Sequence, residues 1–462
     1  MYDDAGAARI DDAFRRALAG ADAALAARLD AARAAPDALD RLAESQLLIA
    51  VAPHLEDFLG GLFGIGQEVR ALEARHHALA PLFTVRRQFV QRKAVNAFKG
   101  AAADALDGPA LRAALEARIG AFDDLAFAHA VLRWQVEAAD VNADAANAGA
   151  ANADALDLAL RYAAWATQTA AGKAAHKGSV LFRVPRKLDF FNLVPLAATT
   201  RHGVSAFETP EGHLRRREGF ALTDAGTDLA GGLAEAHYCI WCHEQGKDSC
   251  AHGLVDRKSA DPTGAPFKAS TFGVPLAGCP LEERISEFNK LRAEGYPLGA
   301  LAMICIDNPM VAATGHRICN DCMKSCIYQK QDPVDIPQSE TRVLKDVLAL
   351  PWGFEIYSLL TRWNPLNLRR PWPAPATGRR VLVVGQGPAG FTLAHRLLND
   401  GHTVVAIDGL KIEPLPEALG GPRFAPLRDF ATLEEPLDER VMAGFGGVAE
   451  YGITVRWDKN FL

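Results

Sequence analysis

The chain has 462 residues, of which 49% are hydrophobic and 23% charged, and its formal net charge is -6. This size and composition are typical of a globular protein with several domains, and the acidic balance argues against a general nucleic-acid-binding protein. No stretch reaches the roughly 18 uninterrupted apolar residues that a membrane-spanning helix needs. The acidic N-terminal sequence lacks the basic and then apolar order of a secretion signal, so we expect a cytoplasmic protein.

Residues 1–175 are rich in alanine and predict a helical domain. Leu18, Leu25 and Leu29 recur at the spacing of one helix face, and leucines over residues 47–62 continue the pattern. We expect these leucines to form the buried face of the domain.

Two less regular segments follow along the chain. Residues 141–154, rich in Ala, Asn and Asp, predict a solvated linker, and a helix is predicted from Leu156 to Thr169. Helical periodicity is lost over residues 176–230, which predicts an irregular connecting region. Its sequence SVLFRVPRKLDFFNLVPL favours short strands or extended packing segments.

All eight cysteines lie within residues 231–350, for which we expect a metal-binding domain. Reduced cytoplasmic cysteines in such clusters are more often ligands or catalysts than disulfides. They form a CxxC with a third cysteine eight residues on, a Cys-Pro, and a C-x2-C-x3-C group. Soft thiolates in this pattern select iron–sulfur clusters, zinc or Cu(I). The predicted thiolate ligands are Cys239, Cys242, Cys250, Cys279, Cys319, Cys322 and Cys326.

The spacing favours iron–sulfur clusters over zinc. Ferredoxin-type sites combine closely spaced cysteines with a remote one that precedes proline, as Cys279 does. Structural zinc prefers paired CxxC motifs or CxxC with histidine. A Cys3His zinc site stays open as the alternative, because His237, His243 and His252 lie near the first cysteines.

A Pro- and Trp-rich segment, residues 351–379, predicts a semi-rigid linker before the last region, 380–462. That region opens with the apolar strand Val381–Val384, followed by a helix over Pro388–Asn399 and a second strand over Thr403–Ile407. This order predicts one βαβ unit at the start of a Rossmann-like domain.

The motif GQGPAG lies between the first strand and the helix, which is the context of a dinucleotide-binding loop. Its first glycine allows a tight turn, the second the approach of a pyrophosphate, and the third close packing of helix on strand. An acidic residue at the end of the next strand is placed to bind a ribose. The predicted cofactor-binding residues are Gly385, Gln386, Gly387, Pro388, Ala389, Gly390 and Asp408.

No cysteine follows Cys326, which argues against a disulfide-reductase flavoprotein, and no second GxGxxG motif is present. A complete enzyme that uses flavin and pyridine nucleotide usually carries one such motif for each nucleotide. We therefore expect the chain to end inside its flavin domain.

The cysteine-containing region resembles the N-terminal iron–sulfur domain of the glutamate synthase small subunit and of dihydropyrimidine dehydrogenase. The resemblance covers residues 235–415 and rests on CPL followed by ISEFN, DNP, TGHRIC, CMKSC and PVDI, and on the GxGPAG flavin-binding motif that comes next. It implies a mainly α-helical, multidomain protein, with an α-helical ferredoxin-like domain followed by an incomplete FAD/NAD(P)-binding domain of Rossmann type.

The resemblance also implies two [4Fe–4S] clusters with crossed ligands. One would be bound by Cys239, Cys242, Cys250 and Cys326. The other would be bound by Cys279, Cys319 and Cys322 with Glu340 as fourth ligand, and Gln338 and Cys305 are the alternatives for that position.

The function expected from the resemblance is electron transfer in a flavin- and iron–sulfur-dependent oxidoreductase, between NAD(P)H or a substrate, FAD and the clusters. The NAD(P)H site and the catalytic residues would lie on further C-terminal domains or on a redox partner protein. We expect neither a membrane nor a nucleic acid as partner, and an oligomer is compatible with the sequence. The alternatives are a non-catalytic relay subunit that docks through its helical front half, and a zinc-stabilised nucleotide-binding protein.

Overall fold

The computed structural model describes residues 4–139, 146–213, 226–256, 267–315 and 319–407. These residues are mainly helical and include two sheets of two strands each. None of their helices combines the length and the apolar character that a bilayer crossing requires. Contacts divide the chain into two compact units, the first made of Met1–Glu73 and Lys187–Leu462 and the second of Ala74–Arg186.

The elements follow one another in three groups. The N-terminal helices are α1 (Asp4–Ala21), α2 (Ala23–Ala34), α3 (Arg41–Leu62) and α4 (Gly66–Ala78). Next come α5 (Ala80–Val85), a π-helix (Arg86–Ala94), α6 (Val95–Ala97), α7 (Ala101–Asp104), α8 (Gly108–Ile119), α9 (Asp124–Ala139), α10 (Ala146–Gln168) and α11 (Ala170–Ala175). The remainder contains β1 (Ala197–Arg201), β2 (Val204–Glu208), α12 (Leu229–Tyr238), α13 (Ser249–His252), α14 (Ile285–Ala293), α15 (Pro297–Asp307), α16 (Val311–Thr314), α17 (Asp321–Ser325), α18 (Ile336–Leu348), α19 (Gly353–Leu360), β3 (Arg380–Val384), α20 (Pro388–Asn399) and β4 (Thr403–Ile407).

The N-terminal helices begin and pack as their sequence predicts. Asp22 and Asp40 cap α2 and α3 by accepting a hydrogen bond from the backbone N–H three residues on. Leu18, Leu25 and Leu29 are at most 5% exposed, so their predicted burial is confirmed. They do not share one helix face, because the chain breaks at Asp22 between α1 and α2, and Leu62 at the end of α3 is 40% exposed.

The core of the first unit joins these N-terminal helices to the cysteine-containing region. Leu47 and Leu55 of α3 belong to the same buried cluster as Leu298 of α15 and Leu344 of α18. Residues 4–73 therefore form one compact unit with the cysteine-containing segment, whereas the sequence predicted that residues 1–175 form a domain of their own. Leucine periodicity identifies a buried face but not the element that covers it.

The second unit has an aromatic core in which Phe127, Tyr162 and Phe182 pack within 6.2 Å of one another, centroid to centroid. Its helix α10 corrects a prediction, because it begins at Ala146, inside the predicted linker 141–154. Alanine is the strongest helix former, and its frequency here outweighs the cost of the Asn and Asp residues. The linker prediction was wrong for residues 146–154, and residues 140–145 lie outside the described ranges.

The connecting region contains an antiparallel hairpin of β1 and β2. Its turn uses His202 and Gly203, both with positive φ, which suits the twist of a tight hairpin. The hairpin comes after residues 179–196, the segment in which short strands were predicted. Those residues form one isolated β-bridge, in which Lys187 pairs with Gln331.

Strands β3 and β4 are parallel, with α20 between them along the chain. The βαβ prediction is confirmed, and its bounds agree with the structure to within one residue. The assignment of this unit to a cofactor-binding domain stays a prediction, as does that of the cysteine region to a ferredoxin-like domain. Asp408 lies outside the described residues.

Candidate metal centres and glycine loop

Four predicted ligands come together in what we call the first cysteine group. Cys239 ends α12, Cys242 opens a 3-10 helix, Cys250 lies on α13, and Cys326 directly follows α17. All four are buried, at most 8% exposed. The Cys250 and Cys326 thiols share a hydrogen bond, and the charges of Cys239 and Cys242 both interact with that of Cys326.

A strained residue shapes the chain between the first two thiols. Trp241 adopts a left-handed conformation, with φ 52° and ψ 60°, which a bulky residue holds only when its surroundings impose it. Its indole N–H donates to the Ala236 carbonyl at 3.3 Å, and the Lys290 ammonium lies 4.8 Å from its ring centroid. Tertiary contacts therefore fix the turn between Cys239 and Cys242.

The segment of Cys279 packs directly on that of Cys250. Gly278 has φ 88°, and a Cβ there would lie 2.6 Å from the Ala251 carbonyl oxygen, so only glycine fits. The Cys279 N–H donates to the Cys250 carbonyl at 2.8 Å, and the Gly278 N–H donates to Ser325 Oγ at 2.9 Å. The two predicted sites are thus neighbours.

The remaining three predicted thiolates form what we call the second cysteine group. Cys322 lies on α17 and is buried, Cys279 is half-buried, and Cys319 is exposed. Cys322 interacts electrostatically with Cys279 and Cys319, and also with Glu283 and Glu340. The structure therefore places three thiols beside two carboxyl groups.

The two carboxyl groups, called the carboxyl pair below, are each 5% exposed. Asn308 Nδ2 donates to Glu340 Oε1 at 2.7 Å, and Glu283 Oε2 lies 4.0 Å from Cys279 Sγ. Burial raises the pKa of both Glu283 and Glu340. The sequence analysis missed Glu283, although its position four residues after Cys279 was a usable signal.

Cys305 and Gln338, the alternatives for the fourth ligand of the second cysteine group, are both buried on helices. Cys305 is 5% exposed on α15, and its electrostatic partners are Glu340 and Glu283. Gln338, 7% exposed on α18, lies against Gly226.

Two of the three histidines of the zinc alternative contact other side chains. His243 Nδ1 hydrogen-bonds to Ser286 Oγ at 2.6 Å, and His252 Nδ1 lies 3.3 Å from Glu282 Oε2. Across the described ranges, no group of three or more His, Cys, Asp or Glu side chains is arranged to hold a single metal ion.

Burial determines the protonation of most thiols. It raises the pKa of Cys239 well above its usual value and that of Cys242 to about 11. The hydrogen bond from Cys250 instead lowers the pKa of Cys326 to about 7. Because a thiol must lose its proton to become a metal ligand, metal binding at these groups would release protons.

The glycine loop has the geometry that its motif predicts. Gly385 has φ 93°, and a Cβ at Gly390 would lie 1.8 Å from the Gly385 carbonyl oxygen, so neither position accepts a side chain. Gly387 caps α20, Pro388 and Ala389 occupy its first turn, and Gln386 Nε2 donates to the Gly385 carbonyl at 3.0 Å. The backbone N–H groups at this helix start are suited to a phosphate.

Helix α20 also connects the βαβ unit to the second cysteine group. His395 Nε2 and Asn399 Nδ2 each lie 3.1 Å from the Thr361 carbonyl oxygen, and the Arg396 guanidinium donates to the Asp307 carbonyl at 2.6 Å. Asp307 precedes Asn308, the residue that binds Glu340. A chain of direct contacts therefore runs from α20 to the carboxyl pair.

Comparison with known proteins gives partial matches. Residues 1–64 match the family described as the RP005 N-terminal alpha-helical domain. The chain is 59% identical to the uncharacterized protein RP006 of Rickettsia prowazekii over 153 residues, which are 33% of this chain and 21% of that relative. It thus spans about a fifth of the length of that relative.

Some of the matched relatives have functional names. Over 139 residues the chain is 32% identical to the glutamate synthase [NADPH] small chain of Mycobacterium tuberculosis, covering 29% of this chain and 25% of the relative. Over 134 residues it is 30% identical to the putative oxidoreductase YgfK of Escherichia coli, covering 29% and 12%. These distant similarities support a redox function and an oxidoreductase-like chain, as the motifs predicted.

Proposed function

We propose that the chain carries electrons in a flavin- and [4Fe–4S]-dependent oxidoreductase. The observation that supports this most strongly is the assembly of seven thiols, five of them buried, into two adjacent groups from cysteines far apart in the sequence. The partial similarity to a putative oxidoreductase points in the same direction.

The first cysteine group fits a cluster by the chemistry of its donors. Four thiols, at most 8% exposed, match the four thiolates that bind a [4Fe–4S] cluster. Deprotonated and without metal, four thiolates would repel one another in a medium of low dielectric constant, and bound iron would neutralise that charge. Cys239, Cys242, Cys250 and Cys326 would hold this cluster.

The second cysteine group fits a cluster with mixed ligands. Cys279, Cys319 and Cys322 would supply three thiolates, and the adjacent carboxyl pair offers oxygen ligands for the fourth iron. Both carboxyl groups are 5% exposed, so an oxygen ligand from either would be shielded from water.

Bound clusters would supply one-electron transfer, while the chain's own residues determine their potential through ligand type, hydrogen bonding and burial. The first group lies in the core and excludes water from its thiols. The second group contacts solvent through Cys319 and connects through Asn308 and Asp307 to α20. This connection reaches the C-terminal half of α20, the helix whose N-terminus follows the glycine loop.

We propose that the glycine loop binds the pyrophosphate of FAD. Gly387 would allow its close approach, and the N-terminus of α20 would stabilise its charge. The name of the matched glutamate synthase chain includes NADPH. In our proposal, exchange of a hydride with NAD(P)H takes place on further domains or on a redox partner protein.

The proposal is tested by reductive titration of the full chain, purified anaerobically and mixed with FAD. We expect FAD to bind, and dithionite to produce two distinct electron paramagnetic resonance signals that belong to two clusters. The matched variant Gly387→Val should lose FAD and keep both signals, because a side chain there obstructs the phosphate site. A chain that shows neither signal and binds no FAD would refute the proposal.

A further inference from the structure

The second unit carries a concentration of positive charge that the proposed function does not use. Residues 74–103 contain six lysines and arginines and no aspartate or glutamate. Four of these basic side chains are exposed and have no carboxylate partner in the described structure. We call them the basic stripe: Arg87, Arg92, Lys93 and Lys99. Unpaired cations gathered on one segment attract an anionic partner.

The π-helix of this unit brings two of the charges together. Its hydrogen bonds run five residues back, so residues five apart lie one above the other, whereas an α-helix would place them on different sides. Arg86 Nε and Gln91 Nε2 show this spacing, because both donate to the Arg183 carbonyl at 3.3 Å. Arg87 and Arg92 each follow one of these residues and are therefore stacked on the exposed side.

The stacking of these two arginines is unfavourable in the isolated chain. Like charges one turn apart on a helix repel each other. π-helices are themselves rare and are found frequently at functional sites. The hydrogen bonds to Arg183 hold the helix geometry, yet they bring no carboxylate to Arg87 or Arg92 in the described structure. An anionic surface outside the unit would relieve the repulsion.

The apolar side chains of the same segment indicate which anionic surface fits. Phe89 is 3% exposed, and Phe98 is half-buried with the Arg161 guanidinium 5.9 Å from its ring centroid. No large apolar side chain of residues 74–103, all of which the structure describes, is exposed. Single-stranded nucleic acids stack on exposed aromatic rings, and helices on a membrane surface bury an apolar face. An acidic protein surface requires neither feature.

The chain itself has such an acidic surface. The second unit has 14 lysines and arginines against 10 aspartates and glutamates, whereas the rest of the chain has 36 against 46. More than half of this acidic excess lies in residues 1–73, which have 7 basic and 13 acidic residues. Asp12, Asp22 and Asp57 are among the exposed ones. Complementary charges of this kind steer two surfaces together and fix their orientation.

We propose that the basic stripe docks on the acidic N-terminal helices, residues 1–73, of a second copy of the chain. The result is a symmetric dimer in which each copy contributes both surfaces, so the contact closes on itself and does not propagate into a fibre. Exposed charges hold this dimer, and salt therefore weakens it. The proposal concerns assembly and does not depend on whether the cysteine groups bind clusters.

The test is sedimentation velocity of the full chain, purified anaerobically. We expect a dimer at about 0.05 M salt and a monomer at about 0.5 M salt, because screening of exposed charges increases between the two. Arg87→Glu combined with Arg92→Glu should raise the dissociation constant of the dimer at least about tenfold at low salt, since attractions become repulsions. The matched control is Lys173→Glu combined with Lys177→Glu, which changes the net charge equally at exposed positions of the same unit. It should change the constant less than about twofold.

The inference is overturned if the chain is monomeric at low salt, or if the stripe variant and the control variant have the same dissociation constant. Single-stranded DNA and phosphatidylserine vesicles are tested in parallel. If the stripe variant loses binding to either of them and still forms the dimer, the inference is overturned as well. Thermal unfolding of the stripe variant at the temperature of the parent chain is the control for folding.

Discussion

The two cysteine groups are neighbours in one compact unit but differ in donors and exposure. The first consists of thiols alone, each at most 8% exposed. The second combines three thiols, one of them exposed on Cys319, with the buried carboxyl pair. Ligand type and solvent access both set the potential of a cluster. If both groups bind clusters as we propose, these differences would give the two clusters different potentials.

The largest effect should come from removing one thiol of either group. Cys322 and Cys326 lie four residues apart, yet Cys322 interacts with Cys279 and Cys319 whereas Cys326 hydrogen-bonds to Cys250. We expect Cys322→Ser to remove the signal of the second group and Cys326→Ser that of the first, each with a loss of about four iron. Iron analysis and electron paramagnetic resonance measure both.

Cys305→Ala is the matched control, because this buried cysteine of α15 interacts with the carboxyl pair and with no cysteine of either group in the described structure. It should keep the iron content of the parent chain. If Cys322→Ser and Cys326→Ser removed the same signal, the division into two groups would be wrong.

Disrupting the buried ion pair of Arg292 and Asp346 tests whether the two cysteine groups depend on the same folded unit. Arg292 is fully buried, donates to the Ser339 carbonyl at 2.7 Å and lies 3.3 Å from Asp346. Burial lowers the pKa of Arg292 to about 10. A Cβ at Gly232, on the helix that leads to the first group, would lie 2.4 Å from this guanidinium.

We expect Asp346→Asn to lower the free energy of unfolding by about 3–5 kcal/mol, since it leaves a buried charge unpaired. Denaturant unfolding measures this, and both groups should lose iron together. The exposed pair Arg112–Glu116 provides the control: Glu116→Gln should cost at most about 1 kcal/mol. If Asp346→Asn lost iron from only one of the two cysteine groups, the two groups would not depend on the same folded unit.

The stability of the unit that contains both groups should depend on pH through Glu56. This carboxyl group accepts hydrogen bonds from the Leu298 and Gly299 N–H groups at the start of α15, and burial raises its pKa to about 8. At pH values between the ordinary pKa of a glutamate and about 8, Glu56 keeps its proton in the folded chain and loses it in the unfolded chain. Its contribution to stability is therefore present at low pH and lost as the pH rises to about 8.

Glu56→Gln should flatten this part of the pH profile, because the amide oxygen still accepts the two hydrogen bonds and does not titrate. Thermal unfolding between pH 5 and 8.5, about the range of the shift, measures it. Asp12, exposed in the same unit, offers the control, and Asp12→Asn should leave the profile unchanged. An unchanged profile in Glu56→Gln would exclude Glu56 as its source.

The smallest effect concerns the strained turn at Glu282, directly before Glu283. The left-handed backbone at position 282 costs a residue with a side chain roughly 1–2 kcal/mol, and glycine avoids this cost. Part of the gain is offset because glycine loses more conformational entropy on folding. We expect Glu282→Gly to be more stable than Glu282→Ala by about 0.5–1 kcal/mol, as both variants lose the contact with His252. Equal stabilities would mean that the turn carries no strain.

The sequence predicted those parts of the molecule that depend on local pattern. The bounds of the βαβ unit follow from two apolar strands and the glycines between them, and the burial of Leu18, Leu25 and Leu29 follows from their spacing, although they lie on two helices. Cysteine type and spacing were enough to select the thiols that the structure brings together. That they bind clusters stays a prediction.

The parts that the sequence could not predict depend on long-range packing. Nothing local indicates that α3 packs on α15, which makes the N-terminal helices part of the cysteine-containing unit. Glu283 lies four residues after Cys279, but its burial beside Glu340 of α18 depends on packing between distant segments. The helix over 146–154 was missed because Asn and Asp were given more weight than the alanines around them.

Metal and sulfide content of the full, anaerobically purified chain tests the central claim most directly. Two [4Fe–4S] clusters predict about eight iron and about eight acid-labile sulfide per chain, with a broad brown absorbance. About one or two zinc ions without sulfide, in a colourless preparation, would contradict electron transfer and favour a zinc-stabilised nucleotide-binding protein.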